Sequence, residues 1–251
     1  MNAKTSEDRD IKGCNRESVI AALKWERLRL VDVPKEFQCD REIVMIAVKQ
    51  DPWSLQYASP ELQADHEIVI TAVSRCWQFL EYALPEFRSD REVVMAAVEQ
   101  HSRALEFASP DLRADREIVL TAVKQIGCAL RFAALELRAD REVVMMQVER
   151  CGEALQFASL ELRADREIVL TAVADFGLAL QYASPELRAD REIVLTAVTH
   201  AGWALQYASP EMQSDHEIVL TAFRNHKSAL SFASKGLRSE IEFFRAVLAT
   251  D

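Results

Sequence analysis

Every 25 residues the chain repeats an acid, a base and an acid: Asp165-Arg166-Glu167 returns as Asp190-Arg191-Glu192 and, with His in the middle, as Asp65-His66-Glu67 and Asp215-His216-Glu217. Carboxylates beside a cation can move protons or hold a metal where a few of them converge in a pocket with shifted pKa values. Charges that return at every step of a fixed period instead make helix caps and surface ion-pair ladders, each pair adding little alone. A track for a regular polymer would use the same columns and would weaken with salt.

The other reactive residues are scattered. His200 and His226 fall at neighbouring bend positions of adjacent copies, and Cys128 and Cys151 do likewise. Either pair brings two ligands toward a metal, fewer than a structural zinc site uses. Cys14, Cys39, Cys76, Cys128 and Cys151 are odd in number and share no register, which fits reduced thiols and not a disulfide ladder. The chain contains no Gly-x-Ser-x-Gly, phosphate-cradling Gly loop, Cys-x-x-Cys or His-Glu-x-x-His. These observations predict a protein that is not an enzyme, with no catalytic residue, no cofactor and no metal.

The elements that carry these columns follow from the period. A repeat of this length is the signature of a solenoid, in which one supersecondary unit stacks along an axis. Counting the Asp as position 1, its carboxylate suits a helix N-cap, and Glu at position 3 suits the positive end of the helix dipole. Apolar residues at positions 4, 5, 8, 9 and often 12, such as Ile168, Val169, Ala172, Val173 and Phe176, form one stripe at 100° per residue. Gly at position 13 (Gly127, Gly152, Gly177 and Gly202) reads as a C-cap where positive φ is cheap. A second, shorter helix then carries Ala179, Leu180, Tyr182 and Ala183, and Ser184-Pro185-Glu186-Leu187 starts a turn of helix before Asp190. Recurrent small residues at positions 8, 15 and 19 let helices of adjacent copies approach closely. Gln147 breaks the rule at position 8, beside Met146. The fold class is therefore all-α: an α-solenoid of tandem 25-residue two-helix repeats, expected as one elongated superhelical rod.

Along the chain this gives a polar segment over residues 1–14, a divergent N-capping copy over 15–39, eight copies over 40–239 and a C-terminal capping helix over 240–251. The terminal units differ because their outer faces have no neighbour. Of the 251 residues, 49% are hydrophobic and 28% charged, which is enough apolar material for a continuous core. The net charge of −10 weighs against nucleic acid and anionic membranes, both of which draw on clustered Lys and Arg. The start lacks the apolar run of a signal peptide, and no segment reaches the roughly 18 apolar residues of a membrane span. A soluble, intracellular protein of the cytoplasm or nucleus is expected.

The stretch from Ala179 through Ser184-Pro185-Glu186-Leu187-Arg188-Ala189-Asp190 to Val198 resembles the short helical repeats of the family domain of unknown function 4116, over residues 40–239. The resemblance implies tandem helical repeats and no established activity, so no catalytic residue carries over. The first copy and the segment from Glu240 depart from the pattern.

Recognition must then reside in what differs between copies, at positions 10 to 14 and 17. Trp53, Trp77 and Trp203 are the sharpest of these, because Trp and Arg are over-represented in interface hot spots; an indole folded over its own bend is the competing reading. With Arg103, Arg131, His200 and Gln206 they make the candidate partner-binding set. The leading expectation is a protein-interaction scaffold with a protein partner. A self-associating assembly subunit, and so a homo-oligomer, comes second, from the apolar segment Ile241 to Leu248. A single-stranded RNA reader comes last, because the variable columns mix both signs of charge.

Overall fold

The computed structural model describes residues 15–25, 27–125 and 127–248, with side chains through Ile241. The expected polar segment 1–14 lies outside the described residues. Contacts divide the chain into two compact units, Met1–Leu112 and Arg113–Asp251, a division that the uninterrupted period does not mark. Each unit is an all-helical solenoid of the 25-residue motif, and among the described residues there is no strand. No described helix is long and apolar enough to cross a membrane.

The first helix of a copy runs over positions 2 to 11 in most copies, as in Arg41–Gln50, His66–Arg75, Arg91–Gln100, Arg166–Asp175 and Arg191–His200. It starts where it does because the preceding Asp is extended and turns its carboxylate onto the helix N-terminus. Asp165 Oδ1 accepts from the backbone N–H groups of Glu167 and Ile168 at 3.0 and 3.1 Å, and Asp190 does the same for Glu192 and Ile193. The first copy obeys the same rule with Asn15, whose side chain accepts from Ser18 N–H ahead of the Arg16–Lys24 helix.

The apolar stripe is buried in most copies. Ile168, Val169, Ala172 and Val173 are fully buried, as are Ile193, Val194, Ala197 and Val198 in the next copy. First helices of successive copies pack on one another: Arg41–Gln50 on His66–Arg75 in the first unit, and Arg166–Asp175 on Arg191–His200 on His216–Asn225 in the second. Adjacent copies thus share one interior.

The second helix is a 3₁₀ segment in most copies, as in Gly177–Tyr182 and Gly202–Tyr207. Its N–H groups reach three residues back, Ala179 to Phe176 and Ala183 to Leu180, the pairing of a 3₁₀ turn. The following turn is capped by Ser at position 20, whose backbone N–H also donates to the position-24 carbonyl of the preceding copy: Ser184 to Arg163 and Ser209 to Arg188.

Two expectations are corrected. Among the described residues only Gly127 has a positive φ, 118°. At Gly152, Gly177 and Gly202 the constraint is tertiary, because a Cβ would lie 2.2 to 2.4 Å from the position-8 carbonyl oxygen of the next copy, Ala172, Ala197 or Ala222. Phe176 and Ala201, before Gly177 and Gly202, close their first helices in an extended conformation, and Cys151, before Gly152, is extended too although its helix ends earlier, at Val148. At the C-terminus, the closing helix starts at Lys235 and runs to Leu248, not from residue 240. Lys235 replaces the usual Pro and Glu240 replaces the usual Asp, so no short carboxylate breaks the chain there.

Candidate functional site

The Asp-Arg-Glu columns form an inter-repeat ladder. Each position-2 arginine grips the next copy's Asp and Glu: Arg41 with Asp65 at 2.8 Å and with Glu67, and Arg141 with Asp165 at 3.0 Å and with Glu167. His66 keeps the register with Asp90 at 3.2 Å, and His216 faces Glu240 at 3.4 Å. The guanidinium bonds from Arg16 and Arg41 hold the Asp40 and Asp65 carboxyls below the usual aspartate range, with capping N–H groups adding to the effect. At Asp165 and Asp190 partial burial is the largest influence and pushes upward. Backbone N–H bonds from Ile168 and Ile193, together with Arg141 and Arg166, outweigh it, and both carboxyls end below the usual range.

Arginine at position 24 bonds to backbone carbonyls and not to carboxylates in two of the copies. Arg138 donates from Nε to the Ala133 carbonyl and from Nη2 to Arg131, at 2.9 and 2.7 Å, and Arg163 clasps Ala158 and Gln156 in the same way. Arg113 donates from Nε to the Phe132 carbonyl of the next copy at 2.7 Å, whereas in these two copies the arginine ties the 3₁₀ segment to the turn. Gln63 and Gln213 make the equivalent amide bonds.

Several variable bend residues join copies together. At position 11, Asp175 accepts from Gly152 N–H at 2.7 Å, Asn225 accepts from Gly202 N–H and donates to the Thr199 carbonyl, and Gln50 donates to the Leu23 carbonyl. The tryptophans also reach into the following copy. Trp53 lies edge-on to Phe79 and Tyr82, with centroids 5.8 and 5.1 Å apart. Trp77 stacks on His101 at 4.7 Å and on Phe107 at 6.3 Å. Trp203 donates from Nε1 to Ser228 Oγ at 2.9 Å, packs against His226 and stays 49% exposed. These indoles cover the joint between copies, and Trp53 and Trp77 remain half-buried.

The other predicted residues are dispersed. Arg103 pairs with Glu106 three residues on at 2.9 Å, and Arg131 lies over the Phe132 ring at 4.9 Å. Gln206 donates to the Trp203 carbonyl, and His200 is exposed at the end of its helix. His200 and His226 are not part of a ligand cluster among the described residues; Cys128, Cys151 and Glu153 are the group close enough for one.

Concave features occur in both units: in the second, Arg141, Glu142, Met145, Met146 and Glu149 line one of about 410 Å³. In the first, a groove of about 410 Å³ lies between the second segments of copies 40 and 65, walled by Trp53, Leu55, Phe79, Tyr82 and Leu84, with the amides of Gln56 and Gln63 at its rim. Tyr82 and Leu84 are 65% and 41% exposed. Its maker is Phe79, which occupies position 15, where most copies carry Ala or Ser.

The resemblance read from residues 179–198 is matched by comparison with known families. The family described as Domain of unknown function (DUF4116) matches six times in tandem, over residues 15–63, 65–113, 115–163, 148–188, 165–213 and 190–238. The chain belongs to this family. The DUF4116 matches begin at residue 15, so they take in the first copy, which departs from the pattern by eye, and the longer ones each span two consecutive copies. No curated protein matches the chain, and no solved structure matches it.

Sequence reasoning singled out Trp53 but missed its partners and two further residues. Phe79 was visible as a large residue in a small-residue column. Leu135 and Leu160 occupy position 21, where five of the DUF4116 copies carry Pro, and are 74% and 76% exposed.

Proposed function

We propose that this DUF4116 chain is a non-enzymatic scaffold that binds a protein partner through its bends, with the Trp53 groove as the principal contact. The groove carries the proposal: it is apolar, aromatic and solvent-open, and Trp53, Phe79 and Leu84 in its walls depart from the residues usual at their repeat positions. Aromatic walls with a few amide donors suit one or two apolar side chains of an extended or helical peptide segment. The ladder arginines support a protein partner over nucleic acid, because their guanidinium groups are already matched by two carboxylates each at Arg41, Arg141 and Arg166.

Selecting peptides from a displayed random library against the full chain tests this. Selected peptides should bind Trp53→Ala and Tyr82→Ala roughly 10- to 100-fold more weakly, with the unfolding midpoint nearly unchanged in the exposed Tyr82→Ala and lowered in Trp53→Ala, whose indole also covers the joint between copies. Equal affinity for both variants would refute the groove as the contact.

Self-association is the second reading, and Leu135 and Leu160 favour it: two nearly bare leucines one copy apart in the second unit. The apolar side chains from residue 242 to 248 on which that reading first rested lie outside the described residues. Sedimentation of wild type against Leu135→Asp/Leu160→Asp decides it, and a wild-type monomer throughout the accessible concentration range would eliminate it.

A further inference from the structure

The joint between copies 115 and 140 in the second unit differs from its neighbours. In other copies the position-15 N–H donates to the position-12 carbonyl, as Ala154 does to Cys151 and Ala179 to Phe176. At this bend Ala129 N–H donates to the Gly127 carbonyl and, at 3.0 Å, to Gln147 Oε1. Gly127 takes its positive φ at this bend, and Gln147 Nε2 donates back to the Gly127 carbonyl at 3.0 Å.

The fully buried Gln147 amide thus clamps the backbone on both sides of Cys128. Its own backbone carbonyl accepts from Cys151 N–H at 2.9 Å. One residue therefore fixes both cysteines, and their sulfurs lie 2.6 Å apart. That separation is about 0.6 Å beyond a disulfide bond, whereas two thiolates on one tetrahedral metal would have to move apart to about 3.8 Å.

We propose that Cys128 and Cys151 are a redox-active pair that forms a reversible disulfide between consecutive repeats, with Gln147 as its positioning residue. The electron acceptor is a low-molecular-mass disulfide of the glutathione class. Cys151 thiolate attacks one sulfur of that disulfide, forming a mixed disulfide and releasing one small thiolate. Cys128 then loses its proton and attacks the Cys151 sulfur; the Cys128–Cys151 bond forms as the second small thiolate leaves. Two protein thiols are oxidised by two electrons, and two small thiols carry away both electrons and both protons.

The order of attack follows from the surroundings. Burial first, and then the hydrogen bond with Cys151, push the Cys128 thiol up to about 12, while Arg131 opposes this and Glu153 adds to it. Cys128 is therefore a poor opening nucleophile and acts second, inside the mixed disulfide, where proximity compensates.

The test equilibrates the full chain in a series of reduced and oxidised glutathione buffers, alkylates the remaining thiols and maps them by peptide mass. Wild type should lose alkylation at Cys128 and Cys151 together, with loss of two hydrogens in mass, and should unfold at a higher temperature when oxidised. Cys128→Ser and Cys151→Ser should abolish both changes. Gln147→Ala restores the small residue usual at position 8, and should leave the helical signal intact while lowering the disulfide equilibrium constant about tenfold, or about 30 mV. Cys128 and Cys151 remaining alkylatable throughout the series would overturn the proposal. So would stoichiometric zinc that protects both thiols and is released by a chelator, or a Gln147→Ala protein that oxidises as readily as wild type.

Discussion

Gly177 and Gly236 make opposite demands on a methyl group. At Gly177 a Cβ would lie 2.4 Å from the Ala197 carbonyl oxygen, a backbone atom of the next copy that cannot turn aside. Gly177→Ala should therefore cost about 1–3 kcal/mol in urea unfolding, the usual range for overpacking. Nothing lies within 4 Å of the corresponding point at Gly236 in the closing helix, so Gly236→Ala should leave stability unchanged or raise it by up to about 1 kcal/mol. A harmless Gly177→Ala would mean that copies do not approach as closely as the fold requires. The glycine column was legible in the sequence, but its cause was not. A C-cap is a local device that residue spacing can announce, whereas a carbonyl 20 positions downstream pressing on an α-carbon is a property of stacking. Gln147 follows the same logic: its irregularity showed in the letters, but the two backbone groups that its amide satisfies belong to a bend in the preceding copy.

Most first helices begin on an Asp that has two tasks, capping its own N-terminus and receiving the preceding copy's arginine. The tasks separate by substitution. Asp190→Asn keeps an acceptor for the Glu192 and Ile193 N–H groups and loses the charge, while Asp190→Ala loses both. Asp190→Ala should cost about 1 kcal/mol in thermal or denaturant unfolding, and Asp190→Asn a small fraction of that, because the surface pair with Arg166 contributes little. Equal losses would put the weight on charge. The shifted carboxyls set the direction with pH. Asp40, Asp65, Asp140, Asp165, Asp190 and Asp215 all have folded pKa values below their ordinary value. Their contribution is complete above the unfolded aspartate pKa of about 3.9 and disappears as pH falls through the lower folded values. The midpoint of thermal unfolding should hold steady from neutrality to about pH 5 and fall below about pH 4. These starts were readable because an N-cap is written within four residues. The second segment was placed correctly along the chain but expected as an ordinary short helix, since spacing alone does not distinguish three-residue from four-residue winding over six positions.

Because adjacent copies lend each other their interior, the chain should tolerate loss of a whole period far better than loss of part of one. Excising residues 165–189 joins Ala164 to Asp190 in register: the new first helix carries the same Ile, Val, Ala and Val on its buried face, and Ala197 takes the place of Ala172 beside Gly152. Excising 165–176 instead leaves a 3₁₀ segment with no first helix of its own to cover Leu180. The full-period deletion should keep the same helical ellipticity per residue and unfold cooperatively with a smaller denaturant m-value, in proportion to the surface removed. The partial deletion should lose cooperativity or aggregate. Circular dichroism during urea titration separates the two outcomes, and equal damage from both deletions would contradict a nearest-neighbour architecture. The groove at Trp53 lies in the other unit, so its peptide affinity should be unchanged by the full-period deletion, which tests in one protein whether folding and recognition are written in different letters of the repeat.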